Sequence, residues 1–270
     1  GRVYEGFSED RDLTIAATRA SVRGHQGDDL AARHTVAATA KHYLGDGATE
    51  GGVEGGNAVM SDETMREVHL PTYAAAVDEG VAAIMVGFNS YNGVNMHQNR
   101  YLVTDVLKGE LGFGGVVLTD WDCGQRFGPA HTVINAGVDV AMQPGNHDAF
   151  MADLKSSVED GTVSMSRIDD AVRRILRLKF RLGLFADPHA REEFSEKIGI
   201  PEHRAVARQA VRESLVLLKS ENGALPLDAS KRVAVVGEHA DNSGLQSGGW
   251  SIHWQGQTES YRGATTILGG

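Results

Sequence analysis

Apolar residues in the first part of the chain follow two alternating spacings, one typical of strands and one of helices. Short, often β-branched apolar runs predict strands at residues 35–43, 81–88, 116–118 and 138–142. Between these runs, apolar positions recur at helical spacing and predict helices that begin near Ser61, Asn99 and Ser166. Ser61 is a suitable N-cap, because two acidic residues follow it in the first turn.

Strands that are apolar on both faces and alternate with helices indicate a parallel sheet covered by helices. A (β/α) barrel and a doubly wound sheet both fit this pattern. Polar residues stand at or just after four strand ends, namely Lys41-His42, Asn89-Ser90, Asp120-Trp121 and Gln143. All strand ends of a barrel face one opening, so four polar ends favour the barrel. The strands are too few for eight, and we therefore expect an incomplete, TIM-like barrel over residues 1–187 that lacks its N-terminal part.

The pattern changes after residue 187. Residues 188–203 are charged and contain two prolines, which is typical of a linker on the surface. A helix is predicted over residues 204–219, and the run KRVAVVGEHAD then predicts a strand over residues 233–236. We interpret residues 204–270 as the start of a second domain, an α/β sandwich.

Charge and cysteine content narrow the classes of partner. The 270 residues carry a formal charge of −10, which disfavours nucleic acid and anionic membrane surfaces and favours a neutral or cationic small substrate. Cys123 is the single cysteine, so neither an internal disulfide nor a zinc site built on cysteines is expected. These features are also compatible with a homo-oligomer.

The stretch GGVVLTDWDC ends a strand with Asp120 and Trp121. An aspartate at a strand end is most often a helix N-cap or the partner of a loop cation. Here it lies beside a tryptophan, whose flat ring can stack on the apolar face of a sugar. The carboxylate could then attack an anomeric carbon or stabilise an oxocarbenium ion.

The stretch KHYLGDG brings Lys41 and His42 to another strand end. The pair is either an accident of the surface or a set of hydrogen-bond donors for neutral hydroxyl groups. The glycine-rich loop that follows is not a phosphate loop, because no Gly-Lys-Ser/Thr sequence occurs in it. His97, His131, His147, His239 and His253 show no metal-binding spacing, so we predict packing or surface roles for them, with no metal and no cofactor.

Five ordered motifs, AKHYLGDG, IMVGFNSYNGVNMHQN, GGVVLTDWD, RESLVLLKSENGALPL and GGWSIHWQG, resemble the β-glucosidase branch of glycoside hydrolase family 3. The resemblance extends over essentially the whole chain. It implies a (β/α) barrel with a second α/β sandwich domain, and an exo-acting enzyme that removes terminal β-linked glucose with retention of configuration. Small β-glucosides or oligosaccharides would be its substrates. The resemblance and the lack of a disulfide leave the periplasm, the exterior of the cell and the cytoplasm open, and we expect a periplasmic or extracellular location because oligosaccharides are usually met there.

The resemblance also implies roles for individual residues. Asp120 matches the nucleophile that forms a covalent glucosyl-enzyme, and Lys41 and His42 match the pair that binds glucose hydroxyls. Arg2 resembles an arginine of the same subsite, and Glu54 a neighbour of the sugar site. Trp121 and Trp254 resemble the two tryptophans that sandwich the next sugar, whereas Trp250 reads as a core residue.

The resemblance identifies no general acid/base in this chain, and this leaves alternative functions open. In this branch it is a glutamate of the second domain, which we expect to fall outside this chain. A non-catalytic sugar-binding fragment is therefore one alternative reading. Two further alternatives are a β-xylosidase and an N-acetylglucosaminidase of the same family. The loop GDGATEGGVEGGN lacks the histidine that the N-acetylglucosaminidases carry after Lys-His, which counts against the second of these.

Overall fold

A computed structural model describes residues 2, 5–189, 192–228, 230–251, 253–259, 261 and 266–268. The chain divides into two compact units, residues 1–195 and 196–270. The domain limits predicted above, with a linker at residues 188–203, stay predictions. Within the described ranges, no helix combines the length and the apolar character needed to cross a bilayer.

The first unit is built on a parallel sheet of three strands. These are β1 (Thr39–Tyr43), β3 (Ala83–Val86) and β6 (Val116–Leu118), with β3 in the centre. The register pairs Ala40 with Ile84 and Ile84 with Val117. The predicted parallel α/β sheet is thus present in the described residues, with shorter strands than the apolar runs suggested.

A second, smaller sheet lies in the same unit. It contains β2 (Asn57–Ala58), β4 (Ser90–Tyr91) and β5 (Val94–Asn95), and β4 and β5 form a hairpin. Asn92 and Gly93 at its turn have φ angles of 48° and 85°, which is the positive-φ pair that a tight two-residue hairpin requires. The Asn-Gly dipeptide is a readable signal for this hairpin, which the spacing of apolar residues alone does not predict.

Helices cover the central sheet. They are α1 (Arg11–Gln26), α2 (Asp62–Thr64), a π-helical segment (Met65–His69), α3 (Leu70–Asp78), a second π-helical segment (Tyr101–Glu110), α4 (Cys123–Arg126), α5 (Ala130–Ala136), α6 (His147–Glu159) and α7 (Met165–Arg181). The Ser61 hydroxyl accepts a hydrogen bond from the Thr64 amide, which confirms the predicted N-cap. Tyr43, Ile84, Leu102, Val106 and Val117 are among the fully buried core residues.

Short 3-10 turns complete the first unit at Asp46–Ala48, Glu50–Gly52 and Met96–Gln98, and a further one spans Glu192–Lys197. Gly45, in the left-handed conformation with φ of 82°, leads from β1 into the first of these turns.

The prediction of a strand at residues 138–142 is wrong, because within this range only Val140 forms a bridge, to Leu118. The side chain of Asp139 gives the physical reason. Its Oδ2 accepts the Val117 amide hydrogen at 2.9 Å, so a side chain takes part in the pairing that a regular ladder would leave to the backbone.

The second unit contains α8 (Pro201–Ser214), a 3-10 turn (Glu238–Asp241) and α9 (Ser243–Ser247). The helix predicted to reach residue 219 ends at Ser214, and residues 233–236 form no strand. A strand needs a neighbour to pair with, and none lies beside this segment among the described residues, where Val236 is 85% exposed.

A buried ionic cluster ties three segments of the first unit together. Lys108 donates to Asp139 at 2.8 Å, and Arg167 forms an ion pair with the same carboxylate, whose side chain is completely buried. Burial lowers the pKa of Lys108. Removing one partner of such a cluster leaves a buried charge uncompensated.

We predict that Asp139→Asn lowers the free energy of unfolding by about 3 kcal/mol, because Lys108 and Arg167 lose the buried one of the two carboxylates they share and keep only the partly exposed Asp170. Urea unfolding monitored by circular dichroism measures this. Glu159→Gln is the matched control, since it removes a carboxylate 3.9 Å from exposed Lys155 and should change stability by less than about 0.5 kcal/mol. Equal effects of the two substitutions would contradict the structural role of the cluster.

Candidate active site

The carboxyl ends of β1, β3 and β6 bring the predicted site residues of the first unit to one edge of the sheet. Asp120 follows β6 after one residue, and His42 lies within β1. His42 Nε2 is 3.5 Å from Asp120 Oδ2, and both side chains are more than four-fifths buried. The structure therefore brings together two predicted residues that lie far apart in the chain.

The backbone of β1 is irregular at Lys41 and His42. Ala40 pairs with Ile84 and Tyr43 pairs with Val86, so β1 has one residue more than β3 between these pairs. Such a bulge re-aims the side chains on the bulged strand. In this case His42 becomes largely buried at the edge of the sheet and Lys41 stays exposed.

Gly87, directly after β3, leaves room for His42. A Cβ atom at this position would lie 3.3 Å from the His42 Cβ and 2.4 Å from the Asn89 Oδ1. Any larger side chain would therefore displace the strand ends on which the site is built.

Asp46 orients His42 from the loop after β1. Its Oδ2 is 3.1 Å from His42 Nδ1, and a carboxylate can only accept, so the proton lies on Nδ1. The hydrogen bond to His42 holds the pKa of Asp46 below its usual value. Asp46 stands in the KHYLGDG motif, but the motif alone gives it no role.

Asp120 is held through its own carboxylate and its backbone. Its Oδ1 accepts the Trp121 amide hydrogen at 2.7 Å, which leaves Oδ2 on the side of His42. The Asp120 amide donates to Nε2 of His97 at 3.0 Å. The Trp121 side chain is 56% exposed beside this carboxylate.

Arg2 and Glu54, both predicted at the sugar site, contact each other at 3.2 Å. Arg2 also binds both carboxylate oxygens of Glu5, at 2.8 and 2.7 Å, an acid that was not among the predicted site residues. The hydrogen bond and the charge of Arg2, with smaller contributions from the neighbouring Lys41 and His42, lower the pKa of Glu5. Arg2, Lys41 and His42 thus share one electrostatic neighbourhood.

A cavity of about 580 Å³ adjoins these residues. It is lined by Glu54, Gly55, Phe88, Asn95, Gln98, Arg126, Phe127 and Gly128. The Arg126 guanidinium lies 4.7 Å from the centre of the Phe88 ring, so the wall combines aromatic and charged groups. No group of three or more potential metal ligands occurs within the described part of the chain.

Trp254 belongs to the second unit, and its side chain is 63% exposed. Its ring centre is 6.2 Å from that of Trp250, whose amide donates to the Trp254 carbonyl at 3.0 Å. Trp250 is 59% exposed, so its assignment to a core is wrong. Both rings lie in a glycine-rich segment that gives them little apolar cover.

Curated relatives match the chain over most or all of its length. A lysosomal beta glucosidase of Dictyostelium discoideum is 36% identical over 100% of this chain and 35% of its own length. A periplasmic beta-glucosidase of Salmonella typhimurium is 35% identical over 93% of this chain and 34% of its own length. The chain thus spans about a third of the length of these curated relatives.

Solved structures are similar over the same range. An exo-1,3/1,4-beta-glucanase from a Pseudoalteromonas species is 42% identical with a TM-score of 0.92, over 100% of this chain and 36% of its own. A beta-glucosidase from Listeria innocua in complex with glucose is 35% identical with a TM-score of 0.83, over 94% of this chain and 36% of its own.

Two family models match the chain in sequence order. Residues 1–178 match the glycosyl hydrolase family 3 N terminal domain, and residues 215–268 match the glycosyl hydrolase family 3 C-terminal domain. The chain therefore belongs to glycosyl hydrolase family 3.

Proposed function

We propose that the chain carries the nucleophile half of an exo-acting, retaining β-glucosidase site. The observation that carries the proposal is the Asp120 carboxylate, with Oδ1 bound by the Trp121 amide and Oδ2 facing His42 at the sheet edge. The names of the relatives support glucose as the sugar. The acid/base partner is assigned to no residue of this chain.

The chemistry follows from the position of Oδ2. Oδ2 attacks the anomeric carbon, the bond from this carbon to the leaving oxygen breaks, and a covalent glucosyl ester forms on Asp120. The leaving oxygen takes a proton from the general acid, and water then cleaves the ester and releases glucose with retention. Oδ1 stays bound to the Trp121 amide and keeps the carboxylate oriented for the attack.

Four of the remaining predicted residues bind sugar hydroxyls in this proposal, namely Arg2, Lys41, His42 and Glu54. The ion pair of Arg2 with Glu54 supports neutral hydroxyls as their ligands, since these two charges already compensate each other. Groups held in this way can still donate to and accept from a hydroxyl, which offers both one donor and two lone pairs.

Aromatic rings supply the stacking surfaces. Trp121 offers an exposed ring beside the nucleophile, and the stacking role of Trp254, an exposed ring of the second unit, stays a prediction. In the proposal, the cavity beside Phe88 and Arg126 receives the next sugar of a β-linked oligosaccharide.

The complete barrel architecture and the cellular location are further parts of this proposal. The parallel sheet with its helices would be part of a (β/α) barrel over residues 1–187, followed by the linker and the start of an α/β sandwich. A TM-score of 0.92 to the Pseudoalteromonas glucanase supports this architecture. We also propose a periplasmic or extracellular location, which is supported by the relative named as periplasmic.

A β-xylosidase is the second candidate, because a protein of that name from Formosa agariphila is 34% identical over 93% of this chain. The two sugars differ at C5, where glucose carries a hydroxymethyl group. Parallel assays with nitrophenyl β-glucoside and β-xyloside separate them, and a higher kcat/KM for the xyloside would replace the glucosidase proposal.

We predict that Asp120→Asn abolishes covalent labelling by a dinitrophenyl 2-deoxy-2-fluoro-β-glucoside, because an amide cannot form the ester. This substrate needs little acid assistance, so it tests the nucleophile alone. Intact-mass analysis detects the adduct, and peptide mapping locates it. Glucose binding, followed by calorimetry, should be largely kept.

Asp122→Asn is the matched control, because it makes the same change two residues away, at a position with φ of 57° that asparagine tolerates. Its labelling should stay within about threefold of the wild type. Substantial labelling of Asp120→Asn would contradict the assignment. Glucose binding with no labelling of the wild type would favour a sugar-binding protein.

We further predict that Asp46→Asn weakens glucose binding about tenfold, because His42 loses its charge-assisted hydrogen bond and its fixed tautomer. Titration calorimetry with glucose measures the change. Glu50→Gln, at an exposed position of the same loop, serves as the control and should leave the affinity unchanged. An unchanged affinity in Asp46→Asn would show that His42 needs no such support.

A further inference from the structure

His97 is a completely buried histidine for which the sequence predicts no more than a packing or surface role. It lies in the short turn Met96–Gln98, directly after the hairpin of β4 and β5. Its ring stacks on Phe127, with 4.0 Å between ring centres and 12° between planes, and Phe88 lies 6.1 Å away. The aromatic packing fixes the plane of the ring, and the hydrogen bonds of its nitrogens fix which way round it lies.

Both ring nitrogens of His97 are engaged. Nε2 accepts the Asp120 amide hydrogen at 3.0 Å, so this nitrogen must carry the lone pair. Nδ1 consequently carries the proton, and it lies 3.2 Å from Asn95 Oδ1. The ring therefore acts as a neutral acceptor, and burial lowers the pKa of His97 to about 3.

Asn95 fixes this tautomer from the other side. Its Nδ2 donates to the Phe88 carbonyl at 2.9 Å, which identifies Oδ1 as the atom that faces His97. The same Oδ1 accepts the His97 backbone amide at 2.9 Å. A chain of hydrogen bonds thus runs from Phe88, two residues after β3, through Asn95 and His97 to the backbone of Asp120.

The backbone on both sides of Asp120 is held in a similar way. The Thr119 amide donates to the Val140 carbonyl at 3.0 Å, and the Thr119 hydroxyl accepts the Met142 amide at 2.7 Å. The Trp121 amide is bound by the Asp120 carboxylate itself. Of these contacts, the bond to His97 is the one that acts on the amide of Asp120 and sets the plane from which its carboxylate projects.

We propose that His97 is a positioning residue for the Asp120 nucleophile, acting as a neutral hydrogen-bond acceptor for the Asp120 backbone amide. This inference rests on the proposed function and adds to it a residue that does not touch the sugar. A displacement of about 1 Å at a reacting group can cost about 100-fold in rate. The chain of hydrogen bonds from Asn95 would prevent such a displacement.

The test compares variants that differ in the acceptor and little in volume. His97→Leu removes the acceptor, and His97→Gln places an amide oxygen near the position of Nε2. For the dinitrophenyl 2-deoxy-2-fluoro-β-glucoside, we expect the saturating labelling rate to fall about 100-fold in the leucine variant. The glutamine variant should recover to within about tenfold of the wild type. The concentration for half-maximal labelling should change little in both.

Met96→Leu is the matched control, because it repacks a fully buried neighbour in the same turn without removing a polar atom. It should label at the wild-type rate. Equal rates in His97→Leu and His97→Gln, or a similar loss in Met96→Leu, would overturn the proposal. Failure of the wild type itself to label would instead refute the proposed function, and the positioning role with it.

A second measurement does not depend on the variants being folded. Two-bond ¹H–¹⁵N NMR spectra of the wild-type chain report which ring nitrogen of His97 is protonated. We expect Nδ1–H with an unprotonated Nε2 throughout the range from about pH 5 to about pH 8. An Nε2–H tautomer, or a ring that titrates in this range, would overturn the proposal, because neither can accept the Asp120 amide.

Discussion

The parallel pairing of β1, β3 and β6 is the constraint on which the rest of the first unit depends. Parallel strands place their carboxyl ends at one edge, and the apolar residues between them are buried by helices on the outside. His42 and Asp120 meet at this edge because His42 lies near the carboxyl end of β1 and Asp120 just after β6. The site is therefore a consequence of register, and the loops only complete it.

Charges at this edge are arranged in pairs and short chains. Asp46 faces His42, Arg2 joins Glu5 to Glu54, and the Asp120 carboxylate is bound by a backbone amide. His97 differs from these groups, since it is buried among aromatic rings and works as a neutral acceptor. Two imidazoles thus flank the nucleophile in different ways: His42 Nε2 lies 3.5 Å from its carboxylate, and His97 binds its backbone amide.

Local patterns were sufficient for the strands of the central sheet, the Ser61 cap and the residues at the strand ends, because these depend on side chains close in sequence. The contact of His42 with Asp120 could be expected only from the parallel sheet, since these residues are far apart in the chain. The role of His97 could not be read from its motif, because it depends on which backbone amide the fold brings to its ring. The prediction of a strand at residues 138–142 was wrong because the Asp139 side chain takes a place in the pairing. The prediction of a strand at residues 233–236 was wrong because a strand needs a partner to pair with.

The extra residue in β1 limits where the chain can accept an insertion or a deletion during evolution. Side chains of a strand alternate between two faces, so losing or gaining one residue exchanges the faces of everything beyond that point. The number of residues between Ala40 and Tyr43 is therefore constrained, because Tyr43 must stay in the core and His42 at the edge of the sheet. Relatives should therefore show no insertions or deletions in the stretch of β1 that carries the bulge.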